Sequence, residues 1–316
     1  VDASDLLRNS LLQLAKQERI RDVVEQAPVS RSVVRRFVPG SERPDVVAAA
    51  KDMAATGRTS TIDYLGEDTT DLAQAKHTRD AYIQLITALR DDGLTEGGTV
   101  EVSLKLSALG QALPGDGPKV ALEHAREICT LADLAGTTVT LDMEDHTTTD
   151  LTLGALRELR ADFPTVGAVL QSYLHRTEAD CRDLAHAGSR VRLCKGAYKE
   201  PESVAFQAGD DVDKAYVRCL KVLMQGEGYP MVATHDPRLV EIAGALAAQA
   251  GRDAKSFEYQ MLYGIRPEEQ KRISDRGDQM RVYIPYGEEW YGYLMRRMAE
   301  KPANVMFFLR GLATKG

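Results

Sequence analysis

Tyr293, Arg296 and Arg297, in the segment YIPYGEEWYGYLMRRMAE that ends at Glu300, have the types and spacing of a binding group. Read locally, the segment is a strand stopping at Pro285, a turn at Gly287 and a helix. The tyrosine precedes the arginines by three and four residues, so all three project toward one region of a helix face. Two planar guanidiniums offer forked donors suited to a small carboxylate, and Glu300, three and four residues further on, is spaced to steer one of them. The same pattern also suits a solvated basic turn near a helix end. The elements that would carry these residues decide between the two.

From about residue 59 the chain alternates short β-rich runs with helical patterns. Strands are expected at 60–65, 100–104, 138–141, 166–170, 190–194, 231–234, 256–260 and 281–284. Helices are expected at 71–89, 119–135, 151–161, 178–187, 202–225, 237–250 and 267–276, with Pro237 and Pro267 in first turns. Eight such units, with the Arg296–Arg297 helix as the last crossover, predict a (βα)8 TIM-type barrel over 59–316. An open doubly wound sheet is the alternative, and it is weakened because no GxGxxG follows the first strand. Residues 1–58 fall outside the repeat and read as an N-terminal helical arm. Leu6, Leu7, Leu11, Leu14, Ile20, Val23 and Val24 are spaced as amphipathic helices, and a further helix is expected at 45–55.

Barrel chemistry belongs at the C-terminal ends of strands, and polar side chains collect there. The strands end at or run into Lys105, Asp142-Met143-Glu144-Asp145, Gln171, Lys195-Gly196-Ala197, Thr234-His235-Asp236 and Leu262, and two carry Arg192 and Tyr283. Singly, each has an ordinary explanation; Asp236, for one, suits a helix cap. Together they form a rim rich in cations and amides. No His/Asp/Glu cluster has metal spacing, so no metal is expected. Neither GxSxG nor a Cys–His pair supports nucleophilic hydrolysis. A Schiff base on Lys105 or Lys195 would make a barrel lyase, although charged neighbours oppose the neutral amine it needs.

The net charge of −7 argues against nucleic-acid binding, which calls for a basic footprint. No apolar run reaches a membrane span, no signal-peptide pattern opens the chain, and Cys129, Cys181, Cys194 and Cys219 lack CxxC spacing. A cytoplasmic protein with free thiols is the expectation.

The motifs VSLKLSAL, LDMED, VRLCKGAYKE, VATHDP, FEYQMLYGIR and RVYIPYGEEWYGYLMRRMAE, in this order, closely resemble the flavin-dependent proline dehydrogenase family over about residues 59–310. The length resembles the monofunctional bacterial members. The resemblance implies a distorted (βα)8 barrel holding FAD, and oxidation of L-proline to Δ1-pyrroline-5-carboxylate by hydride transfer to flavin N5. It implies that Arg296, Arg297 and Lys105 bind the proline carboxylate while Tyr283, Tyr293 and Leu262 surround its ring. Arg192 would lie near flavin N5, with Met143, Gln171, Lys195, Gly196, Ala197, Thr234 and His235 as further FAD contacts and Asp142 as the active-site carboxylate. It also implies electron transfer to a quinone and peripheral contact with the inner face of the cell membrane. Lys199 departs from the bifunctional members, which carry tryptophan there. Tyr283 favours proline over 4-hydroxyproline, for which relatives tend to have a smaller residue. Besides a hydroxyproline dehydrogenase and a Schiff-base lyase, a non-catalytic amino-acid sensor is the competing class.

Overall fold

A computed structural model describes residues 34–300. Eight parallel strands close into a barrel in chain order: β1 (Thr59–Tyr64), β2 (Val100–Leu104), β3 (Val139–Leu141), β4 (Gly167–Gln171), β5 (Arg190–Cys194), β6 (Tyr229–Ala233), β7 (Glu258–Leu262) and β8 (Met280–Tyr286), which pairs back with β1. A helix, α1 (Arg43–Ala54), precedes β1. The crossovers are α2 (Leu72–Asp91), α3 (Gly117–Leu134), α4 (Thr149–Asp162), α5 (Thr177–Leu184), α6 (Gly209–Gln225), α7 (Pro237–Gln249) and α8 (Pro267–Asp275). After β8, α9 (Trp290–Glu300) carries the paired arginines.

The strands alternate by face, because successive side chains point to opposite sides. Ile62, Val102, Leu104, Leu141, Leu170, Leu193, Val232 and Ile284 belong to the hydrophobic cluster beneath the helices. The intervening positions, Thr61, Glu101, Ser103, Thr140, Arg192, Glu258, Gln260, Arg281 and Tyr283, bond to one another or to Asp142 across the barrel, and Asp63 takes Lys105. The interior is therefore largely polar, where barrels of this kind more often stack Val, Ile and Leu.

Element bounds shift from the sequence expectation at several places, three of them with a clear physical cause. β8 continues through Pro285 to Tyr286. Tyr263 N–H bonds the Tyr283 carbonyl on one side and Leu65 N–H bonds Tyr286 on the other. Pro285, on the Tyr283 side, therefore turns its absent N–H toward the edge where β7 has already ended, and no ladder bond is lost. α6 begins at Gly209 instead of 202. The residues before it fold back over β4, with Leu174 bridging Ala205 and Phe206 N–H donating to Tyr173 O at 2.8 Å. β7 starts at Glu258 because Ser256 N–H is held in a turn by Asp253 O.

The arm's expected helices between Leu6 and Val24 lie outside the described residues. Its described part packs on the barrel. Val46 and Ala50 of α1 join the main core. Phe37 and Val38 form a second cluster with Leu65, Tyr291, Leu294 and Met295. Each such side chain contributes about 1.5–3 kcal/mol when fully buried, and this cluster seats α9 so that Tyr293, Arg296 and Arg297 reach the barrel mouth. Cys129, Cys181, Cys194 and Cys219 are free thiols.

Candidate active site

The C-terminal ends of the strands open into a cavity of about 610 Å³, within the roughly 300–1,000 Å³ typical of small-molecule and cofactor sites. It brings together every site residue singled out from the sequence: Lys105, Asp142, Met143, Gln171, Arg192, Lys195, Gly196, Ala197, Thr234, His235, Leu262, Tyr283, Tyr293, Arg296 and Arg297.

Asp142 organises its floor. One carboxylate oxygen accepts from Ser103 Oγ at 2.8 Å and Arg192 Nη1 at 2.6 Å, and the other accepts from the Tyr283 hydroxyl at 2.7 Å. The Arg192 guanidinium also stacks 5.3 Å over the Tyr283 ring. On its second side, Arg192 Nε donates to Gln260 Oε1 at 2.5 Å. Beneath, Glu101 takes Thr61 at 2.7 Å and Arg190 at 2.5 Å, with Arg192 and Arg281 at 3.7 and 3.9 Å. Glu258 takes Arg281 at 2.8 Å and the Tyr229 hydroxyl at 3.2 Å. Arg190, Arg192 and Arg281 thus face Glu101, Asp142 and Glu258, the balance that burial of charge requires. Burial disfavours the Glu101 carboxylate, but Arg190, Arg281 and Arg192 outweigh it and hold the carboxyl down at about 2. Burial pushes the Tyr283 phenol well above its usual range, and Asp142 and Asp63 add to the effect. Its proton therefore stays on the oxygen and serves Asp142.

The expected clamp is built differently from three cations alone. Lys105 Nζ sits 2.6 Å from Asp63 of β1, and Arg296 lays its fork on Glu67 at 2.7 and 3.2 Å. Burial opposes the Lys105 charge, yet the carboxylates of Asp63, Asp142 and Glu67 outweigh it and raise the ammonium's pKa. Arg297, also buried, places its guanidinium 5.2 Å from the Tyr293 ring centroid. Two acids therefore offset part of the positive field at this end. The Glu300 side chain lies outside the described ones.

At the rim, Lys195 Nζ lies 2.5 Å from Asp213 and 3.6 Å from Asp236. Asp236 also caps α7, accepting from Arg238 N–H at 3.0 Å. The Arg238 side chain, with Lys195 assisting, holds its carboxyl down at about 2. His235 Nε2 accepts from Leu262 N–H at 2.9 Å, tying the ends of β6 and β7 together. Thr234 Oγ1 accepts from Asp236 N–H at 3.1 Å.

Two observations fit a flat, hydrogen-bonding cofactor along β4 and β5. Gln171 Nε2 reaches Met143 O at 3.5 Å, while the buried Gln171 Oε1 has no hydrogen-bond partner among the described residues. A buried amide oxygen left this way calls for a donor from a ligand or a water. Gly196 has φ of 112°, and a Cβ there would stand 2.3 Å from the Tyr173 ring. Only glycine lets that loop lie so close.

Asp63, Glu67, Tyr198 and Gln260 also line the cavity and were not singled out from the sequence, nor were Glu101 and Glu258 below it. For Asp63, Gln260, Glu101 and Glu258 the signal is the alternation of apolar and polar residues in TIDY, VEVSLK and EYQML; Glu67 and Tyr198 lie in loops outside those runs. Such alternation would be unexpected in strands with two dry faces. Among the described residues no group of three His, Cys, Asp or Glu could hold a metal ion.

Residues 46–310 match the family model described as proline dehydrogenase. Proline dehydrogenase 1 of Bacillus subtilis (strain 168) is 36% identical over 310 residues, covering 98% of this chain and 100% of that protein. Proline dehydrogenase of Deinococcus radiodurans is 36% identical over 309 residues, 97% of this chain and 98% of that protein. Among solved structures, proline utilization A from Bdellovibrio bacteriovorus inactivated by N-propargylglycine aligns with a TM-score of 0.79 and 27% identity. That alignment covers 86% of this chain and 33% of the longer one. With the family model spanning most of its length and these relatives matching it nearly end to end, this eight-stranded barrel belongs to the proline dehydrogenase family.

Proposed function

We propose that the protein oxidises L-proline to Δ1-pyrroline-5-carboxylate with FAD as the electron acceptor in the site, and passes the electrons on to a quinone. The observation that carries this reading is one cavity in which Lys105, Arg296 and Arg297 stand with the Asp142–Arg192–Tyr283 group and the Gln171 amide oxygen, which has no partner among the described residues. When bound, FAD would supply the two-electron acceptor for the hydride on the ring carbon beside nitrogen. Gln171, Met143, Arg192, Lys195, Gly196, Ala197, Thr234 and His235 are the residues that would hold it.

The remaining work falls to the protein's own groups. Lys105, Arg296 and Arg297 bind the proline carboxylate, and their forked or pointed donors fix the ring's orientation. Tyr283, Tyr293 and Leu262 enclose the ring and keep water from it. Departure of hydride is favoured when the amine is neutral, because its lone pair supports the developing iminium. Tyr283 does not compete for that lone pair, since its proton is committed to Asp142. The lyase reading loses support on the same evidence. An imine-forming lysine must shed its proton, whereas Lys105 has a raised pKa and Lys195 is paired with two carboxylates.

The quinone and a peripheral seat at the inner face of the membrane are proposals drawn from the family. Among the described residues no helix is long and apolar enough to cross a membrane. The visible spectrum of the purified protein tests the reading. Flavin bands that L-proline bleaches without oxygen, and that a soluble quinone restores, are expected. Absence of flavin bands would refute the FAD assignment, and bands that proline leaves unchanged would point to a sensor.

A further inference from the structure

Arg192 is held along two edges of its guanidinium. Nη1 donates to Asp142 and Ser103, and Nε donates to Gln260 Oε1 at 2.5 Å. A glutamine amide can face either way, because oxygen and nitrogen occupy nearly the same space. Here the choice is made from below. Gln260 Nε2 donates to Glu258 Oε1 at 2.5 Å, and an ionised carboxylate only accepts. Glu258 is itself fixed by Arg281 at 2.8 Å and by the Tyr229 hydroxyl at 3.2 Å. Glu258 and Gln260 are two residues apart on β7 and so share the inward face. The chain Arg281–Glu258–Gln260–Arg192–Asp142–Tyr283 runs up the barrel interior to the cavity.

We infer that Gln260, oriented by Glu258, is a positioning residue that fixes the plane of the Arg192 guanidinium against the cofactor. Its consequence for redox chemistry rests on the FAD reading given above. A cation held rigidly beside a ring that gains electrons stabilises the reduced form, and it does so most when its dipoles need not reorganise. Gln260 acts through Arg192. Removing its hydrogen bonds should loosen the cation without touching Lys105, Arg296 or Arg297, which face the substrate carboxylate.

The experiment compares Gln260→Met with Gln260→Glu. Methionine nearly conserves the volume but removes both hydrogen bonds. A protonated glutamic acid can donate to Glu258 and still accept from Arg192, which reproduces both. In the methionine variant, exchange protection of the Arg192 Nε–H, followed by NMR, should be lost. The potential of bound FAD should fall by about 30 mV or more, equivalent to a tenfold change for a two-electron couple. Turnover should fall about tenfold while the KM for proline changes less than about twofold. Gln260→Glu should restore all three readouts. Wild-type Nε–H protection and an unchanged potential in Gln260→Met would overturn the inference. If that variant does not fold, Gln260→Asn, too short to span both partners, takes its place with the same outcomes. A wild-type protein without flavin would remove the FAD reading alone, because the Nε–H measurement needs no cofactor and still decides whether Gln260 positions Arg192.

Discussion

Replacing Glu101 by glutamine tests whether the polar interior of the barrel is held by charge. Glu101 is fully buried and is shared by Arg190, Arg281 and Arg192, with Thr61 and Thr140 also donating to it. Its carboxyl falls from an ordinary 4.5 to about 2 in the folded protein, which corresponds to about 3 kcal/mol favouring the folded, charged form. Breaking one partner out of a buried ion pair costs about 3–5 kcal/mol by independent reasoning, so the two magnitudes agree. Because the folded pKa is depressed, this stability is fully present above about pH 4.5. It is lost as the pH falls toward 2. Glu101→Gln should therefore unfold about 3 kcal/mol more easily at pH 7, lowering the melting temperature by about 5–10 °C. The gap from wild type should narrow between pH 4.5 and pH 2. Urea titrations of both proteins from pH 7 to pH 3 are the assay. A difference under about 1 kcal/mol at pH 7, or one independent of pH, would refute the reasoning and make the arginine–carboxylate ladder incidental to stability.

Two further outcomes concern the site. Arg297→Met should raise the KM for proline about ten- to hundredfold, the cost of losing a charged hydrogen-bonding partner worth about 1.5–3 kcal/mol, with FAD content unchanged; steady-state kinetics on flavin-loaded protein decide it, and unaltered kinetics would remove Arg297 from the clamp. Gly196→Ala should reduce bound flavin per chain and lower the melting temperature, because φ of 112° and the Tyr173 ring leave no place for a Cβ; the absorbance ratio of purified protein reads the first effect, and full flavin occupancy would contradict it.

Much of the fold was legible locally. β2 and β5 stand at 100–104 and 190–194 as their β-rich runs suggest, and Pro237 and Pro267 open their helices as expected. The start of α6 was not legible, because the helix-forming residues after Pro201 are diverted to bond the backbone beyond β4. The rim residues could be grouped in advance because a (βα)8 barrel sends all strand ends to one face. Their partners could not. Lys105 meets Asp63, 42 positions away, and Arg296 meets Glu67, 229 positions away; nothing in the local pattern pairs them.

The sequence by itself determined the eight-unit repeat, the end of the barrel where chemistry collects and the cationic pair Arg296 and Arg297 beside Tyr293, because periodicity and side-chain type act over a few residues. Tertiary structure alone decided that the barrel interior is a ladder of paired charges, that Glu67 holds Arg296, and that Gln260 and Asp142 grip Arg192 from two sides. Closing a sheet places residues from distant strands face to face, and burial then requires each charge to find its partner there.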